Sequence, residues 1–235
     1  THHHREQLQG AGLIDRSTAK VWAPAKERDF FEKPANFRKW WPKLGDKFSV
    51  YGASYLRPPA HPIILDQTLE DGESFDWKGF RFTCLSAPGH SPGHMSYLLE
   101  HEGKTIAFTG GHFHDGAKLS TWFDSEWDYG FGKGIDALLE STNKLIANKP
   151  NLALPSQGPP ISQATRQLET FKEKLTGFRA SYVRGYPVHK MKPEEADGYS
   201  KPTKFPLMNR VTPHLYKLNP EMLGKNFSII IDVIA

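Results

Sequence analysis

The sequence predicts a mixed α/β fold organised around one sheet whose strand ends carry histidines. Three observations lead there. Phe80, Phe82 and Cys84 alternate with Arg81 and Thr83, the period of a half-buried strand. Turn signals at Pro88-Gly89, Pro92-Gly93, Glu102-Gly103 and Gly110-Gly111 then bound two further strands, residues 95–100 and 105–109. Downstream, residues 134–148 place Ile135, Leu138, Leu139, Leu145 and Ile146 at helical spacing.

The remaining elements follow in order. Residues 1–7 are polar and His-rich, and a helix-compatible stretch runs to residue 13. Residues 19–23 read as a short strand ended by Pro24, and residues 26–41 as a helix broken at Pro34. The aromatics of that stretch, Phe30, Phe31, Phe37, Trp40 and Trp41, either pack on the core or wall a cleft. Residues 49–62 are loop-like, 61–69 a strand around Ile63-Ile64-Leu65, and 72–79 a hairpin. A Trp- and Asp-rich loop or short strand covers 118–129; its Trp122, Trp127 and Tyr129 wall a pocket or join the core. Residues 151–154 form a buried-type strand, and 162–178 a second helix capped by Ser162. Residues 181–213, rich in Pro, Gly and Lys, read as an extended linker or arm, and 214–235 as a terminal strand segment, most strand-like at 227–234.

The totals narrow the function classes. A chain of 235 residues with 38% hydrophobic content can bury one large or two small cores. It has no apolar run near the ~20 residues that span a membrane. The net charge of +4 is scattered, so neither a nucleic-acid nor a membrane partner is expected. Cys84 is the single cysteine, which excludes an internal disulfide framework and a multi-cysteine zinc site; on the strand pattern it belongs to the core. The compartment stays open, with the cytoplasm slightly favoured, because exported proteins need not contain disulfides.

Of eleven histidines, His2, His3 and His4, then His90 and His94, then His112 and His114 fall in three short clusters. Histidines at i and i+2 of an extended loop can turn two imidazoles toward one metal. His2 and His4 form such a pair, and His90 is the natural third nitrogen, leaving one tetrahedral position open for water. Glu6 adds a carboxylate nearby.

These residues carry a family resemblance. THHHREQ at residues 1–7 resembles T-H-x-H-x-D-H, the first motif of the metallo-β-lactamase superfamily. APGHSPGH at 87–94 resembles its P-G-H-[ST]-P-G motif, IAFTGG at 106–111 the strand ending in F-T-G-D, and LPSQGP at 154–159 the P-S-H-G-P turn. Order and spacing agree over residues 1–180, taken as the family-like domain. The resemblance implies an αββα sandwich with a metal cleft at one edge. Family members place strands before the first motif, so the sandwich is expected to be incomplete or permuted. The tail is similar to the opening strands of the same fold. It would complete the sheet, start a second copy or stand as an unrelated strand, and an unfilled edge would promote homo-oligomers.

The resemblance also implies zinc-assisted hydrolysis, with His2, His4 and His90 as ligands of the first ion. Glu6 falls at the family's aspartate, Gln7 at its histidine, Gly111 at the bridging aspartate and Gln157 at the final histidine. Gly111 has no donor, and the amides of Gln7 and Gln157 are poor ligands for a transition metal, so the second site is degenerate. Two readings remain. In one, a single zinc serves a hydrolase of small-molecule esters, lactones, amides or phosphoesters, with Glu6 orienting the water or acting as general base. In the other, the fold persists as a silent binding or assembly module. His94 reads as a turn residue, His112 and His114 as a compensating ligand or loop residues, and Asp115, Asp124 and Asp128 as loop carboxylates.

Overall fold

The computed structural model describes residues 1–35, 59–119 and 133–182, together with four short strands near the C-terminus. Two compact units result, Thr1–Arg184 and Gly185–Ala235.

The first unit is built on a six-stranded sheet. Its strands are β3 (Ser74–Trp77), β4 (Phe80–Ser86), β5 (Met95–His101), β6 (Lys104–Gly110), β7 (Leu152–Pro155) and β8 (Ile161–Ser162). They lie in sequence order, antiparallel except for the β6–β7 pair. The hairpin turns explain the register. Lys78-Gly79 and Glu102-Gly103 both take positive φ, the conformation that two-residue hairpins demand. Cys84 therefore sits opposite Tyr97, and Tyr97 opposite Phe108.

That register gives the sheet two unlike faces. Leu98, Ala107 and Ala153 share one core with two helices, α3 (Lys133–Ala147) and α4 (Ala164–Tyr182). Leu138 and Leu145 from α3 and Leu168, Phe171 and Leu175 from α4 fill it, at the spacing of an amphipathic stripe. Asp136 and Arg179 pair across the two helices. The opposite face carries Cys84, Tyr97, Phe82 and Phe108. Leu69 and Phe75 pack with Cys84 and Tyr97 there, and Trp22 meets Phe75 edge-on. Leu69 and Trp22 belong to a two-stranded parallel sheet, β1 (Trp22–Pro24) with β2 (Gln67–Leu69). Helix α2 (Arg28–Glu32) packs its Phe31 with Ala23, Ile63 and Leu65. The helix, sheet, sheet, helix composition of the expected sandwich is thus present, with the second sheet reduced to two strands among the described residues.

Three local expectations change. Residues 61–65 are not a strand: Ile63 and Leu65 are buried and Ile64 is exposed, but their amides bond Phe31 O and a Glu32 carboxylate oxygen rather than a ladder. Strand alternation is present there without a strand partner. Ser162 is not a helix cap, because it pairs with Leu152 in β8 and α4 begins only after Gln163 turns through φ +55°. The broken helix is a 3-10 turn, Ala25–Glu27, followed by α2, which stops before Pro34. Phe37, Trp40, Trp41, Trp122, Trp127, Tyr129, Asp124 and Asp128 lie outside the described residues.

The second unit contains β9 (Lys201–Pro202), β10 (Met208–Arg210), β11 (Leu215–Leu218) and β12 (Ile230–Asp232). They form one antiparallel sheet in the order β12-β11-β10-β9. Two of its strands, β9 and β10, fall inside residues 181–213. Among the described residues no helix is long and apolar enough to cross a membrane.

Leu138 joins the α3 core to the turn that carries His90, where the Gly89 backbone leaves no room for a side chain: a Cβ would lie 2.5 Å from Leu138 Cδ1. Leu138→Ala is expected to cost about 2–5 kcal/mol, read from urea unfolding. A loss below about 1 kcal/mol would show that α3 is not packed as described.

Candidate metal centre

The segment 1–4 and the turn 87–94 meet at the end of the six-stranded sheet. Met95 N–H bonds Thr1 O at 3.0 Å, and Ala87 N–H bonds His94 O at 2.9 Å to close the turn. Ser141 of α3 fixes the turn from behind, its hydroxyl donating to Pro88 O at 2.7 Å.

Here His2, His4 and His90 come together. All three are buried, and one nitrogen from each lies within 4.8 Å of the others. Ring centroids are 4.5 Å apart for His2–His4 and His2–His90, and 4.6 Å for His4–His90. His2 Nε2 and His90 Nε2 are 3.2 Å apart. Two nitrogens on a tetrahedral zinc, each at about 2.0–2.1 Å, would stand roughly 3.3 Å apart. The second nitrogens support the same use. His2 Nδ1 lies 3.0 Å from Thr1 Oγ1, and donation to that hydroxyl leaves Nε2 its lone pair. His4 Nε2 is buried without a hydrogen-bond partner, and His4 Nδ1 lies 3.7 Å from Glu6 Oε1. An orphaned buried nitrogen beside two converging imidazoles fits a bound cation.

Electrostatics keeps these rings in the ligating form. Burial first, then the neighbouring imidazoles, hold His2 and His4 well below the usual histidine range. Burial, with His3 and His114 nearby, lowers His90 to about 3. Neutral imidazole is the species that binds metal.

Sequence reasoning did not single out Glu27. This carboxylate is fully buried beneath the site and accepts four hydrogen bonds. His3 N–H reaches Oε2 at 2.9 Å and His3 Nδ1 donates to the same oxygen. Ser91 Oγ and Gly93 N–H each reach Oε1 at 2.7 Å. Burial alone would raise its pKa, but the His3 charge and these hydrogen bonds outweigh it and leave the carboxyl below its ordinary value. Phe30 stacks on the His3 ring at 4.1 Å. Only position could have signalled this residue, a glutamate three residues beyond a strand that ends at Pro24.

The other expected residues divide. His94 is fully buried with Nδ1 at 3.0 Å from Ala87 O, the turn-fixing role read for it. His112 points into the core, with Nε2 3.0 Å from Thr142 Oγ1. Asp115 accepts from Gln167 Nε2 at 2.8 Å and serves its loop. Glu6 is half exposed and lines a cavity of about 30 Å³ together with Gln7, His114, Gln157, His2 and His90. Cys84 is buried in the core, which raises its thiol to about 11 and removes it as a nucleophile.

No protein-family model matches the chain. A 41-residue stretch is 49% identical to hydroxyacylglutathione hydrolase GloC of Haemophilus influenzae, covering 17% of this chain and 18% of that protein. The BLEG-1 B3 metallo-β-lactamase aligns at a TM-score of 0.51 and 24% identity over 70% of each chain. The chain has the metallo-β-lactamase fold. The metallo-β-lactamase family protein TTHA1429 of Thermus thermophilus aligns at a TM-score of 0.47 and 22% identity, over 72% of this chain. The chain spans 56% of that protein and far less of the curated relative.

Glu27→Gln is expected to weaken zinc binding by about 10–100-fold in competition with a chromophoric chelator, since the ligand-bearing segments lose their shared anchor. Unchanged affinity would remove Glu27 from the site. The neutral rings also set a pH dependence. His2, His4, His90, His94 and His112 have folded-state pKa values below 6.5, so the unfolded chain binds more protons as acid is added. Their contribution is full above about pH 6.5 and is lost progressively as pH falls toward about 3. The urea midpoint of metal-free protein should therefore drop between about pH 7.5 and 5.5, above the carboxylate range. A flat midpoint would mean the rings are not held neutral.

Proposed function

We propose that this chain is a metal-dependent hydrolase that binds one zinc ion through His2, His4 and His90. The observation that carries the reading is the convergence of three buried, neutral imidazoles on one point, with an orphaned nitrogen among them. Zinc held there would supply Lewis acidity toward water and toward the scissile carbonyl or phosphoryl group. The chain's own groups supply the rest. The Glu6 carboxylate stands on the open side of the site, where it can accept a proton from water and return it to a leaving group. Glu27 and His3 hold the ligand segments in place from the buried side.

The substrate class follows from the chemistry only as far as acyl and phosphoryl esters. The partial likeness to GloC makes thioesters the first class to try. The competing reading, a silent binding module, draws support from Gly111, which offers no carboxylate beside the three imidazoles.

Protein prepared without a histidine tag should carry about one zinc per chain by elemental analysis, and His90→Ala should lose it. Thioester, lactone and phosphoester substrates presented in turn should include one whose turnover falls ~100-fold or more on chelation and returns with zinc. Absence of bound metal in the untagged protein would overturn the reading. Bound metal without turnover of any class would favour the silent module.

A further inference from the structure

Behind the three histidines, on the helix side of the sheet, lies a polar cluster that the zinc reading does not use. Its members are His94 and Ser96 at the start of β5 and Thr109 and His112 around the end of β6, each with 0% of its surface exposed. The β5–β6 register sets Leu98 opposite Ala107 and Tyr97 opposite Phe108, and so brings Ser96 beside Thr109 on the face that packs against the helices. His112 N–H reaches back to Thr109 O at 3.0 Å, and the His94 and His112 ring centroids are 6.2 Å apart. His94 Nε2 lies against the residue after Thr109, where a Cβ built on Gly110 would be 2.5 Å away. The four side chains share one neighbourhood.

Their hydrogen bonding is settled on one side and open on the other. His94 Nδ1 lies 3.0 Å from Ala87 O, and a carbonyl can only accept, so Nδ1 carries the proton and Nε2 the lone pair. Thr142 Oγ1 gives its proton to Leu138 O at 2.7 Å. It therefore accepts from His112 Nε2 at 3.0 Å, and the lone pair of that ring is on Nδ1. Neither lone pair has a partner among the described residues, and neither do the hydroxyls of Ser96 and Thr109. Four unpaired polar atoms in the interior would cost the fold heavily.

Two lone pairs and two hydroxyls are the complement of water, which has two protons to give and two lone pairs to receive them, and buried waters take two to four polar partners. Two imidazoles with two neutral hydroxyls make a poor set for a transition metal. We propose that ordered internal water occupies this cluster, donating to His94 Nε2 and His112 Nδ1 and accepting from the Ser96 and Thr109 hydroxyls. The water ties the turn that carries His90 to the end of β6 and, through Thr142, to α3. The His94 ring stands 5.3 Å from that of His2 and 5.9 Å from that of His90, so the tie supports the ligand rings from behind. The proposal requires neither bound zinc nor hydrolysis.

The test uses the metal-free full chain. A high-resolution crystal structure should show a water oxygen within hydrogen-bond distance of His112 Nδ1 and Thr109 Oγ1. Urea unfolding gives an independent reading, because the sign of the change separates wet from dry. Thr109→Val removes a hydroxyl at nearly constant shape, and Ser96→Ala removes the other. With water present each substitution takes away one of its partners, and the urea midpoint should fall. With the hydroxyls dry each substitution removes an unpaired buried atom, and the midpoint should hold or rise. The double variant should lose less than the sum of the two, since both act on the same water. A near-ultraviolet spectrum matching wild type establishes that the variants fold. Water density together with lowered midpoints supports the proposal. Absence of density in the cluster, or midpoints that fail to fall in both variants, overturns it.

Discussion

A buried carboxylate beneath the histidines organises everything above it. Glu27 reaches His3, 24 residues away, and Ser91 and Gly93, 64 and 66 residues away. An unpaired charge in such a place would cost several kcal/mol, so the chain must bring both segments to it. The two segments are the ones that carry His2, His4 and His90. Packing of the anchor thus sets the geometry of the rings, and Gly93 is glycine because a Cβ there would sit 2.8 Å from Glu27.

Above the anchor the chemistry reverses. Five imidazoles, those of His2, His4, His90, His94 and His112, sit in the protein interior with their pKa values driven down, largely by desolvation. Lone pairs are concentrated where water is scarce, and His94 Nε2 and His112 Nδ1 join His4 Nε2 in having no partner among the described residues. A fold that aimed only at stability would fill this region with leucine. Such local conflict between packing and polarity is the usual mark of a functional site.

Much of this was legible in the sequence, for identifiable reasons. Strands β4 to β6 are local objects: alternation, two-residue turns and the glycines after them fix register within a few residues. Helix α3 announces itself by its buried stripe. The pair His2 and His4 was legible because a spacing of two in an extended segment constrains where rings can point, and His90 because two Pro-Gly turns set it at a strand end. What escaped needed distant partners. Residues 61–65 alternate like a strand, but a strand requires a ladder, and theirs went to α2. Glu27 looked like any surface glutamate, since its partners are far away in sequence. Ser162 had the chemistry of a cap, yet pairing with Leu152 claimed it first.

The crowding of His90 against Gly111 limits which residues position 111 can hold. Any side chain introduced at 111 would meet the His90 imidazole at its first carbon. The ring would have to rotate out, and with it would go a nitrogen of the three-histidine cluster. Position 111 and the His90 ring are therefore coupled: a side chain can enter at 111 only together with a second change that moves the ring.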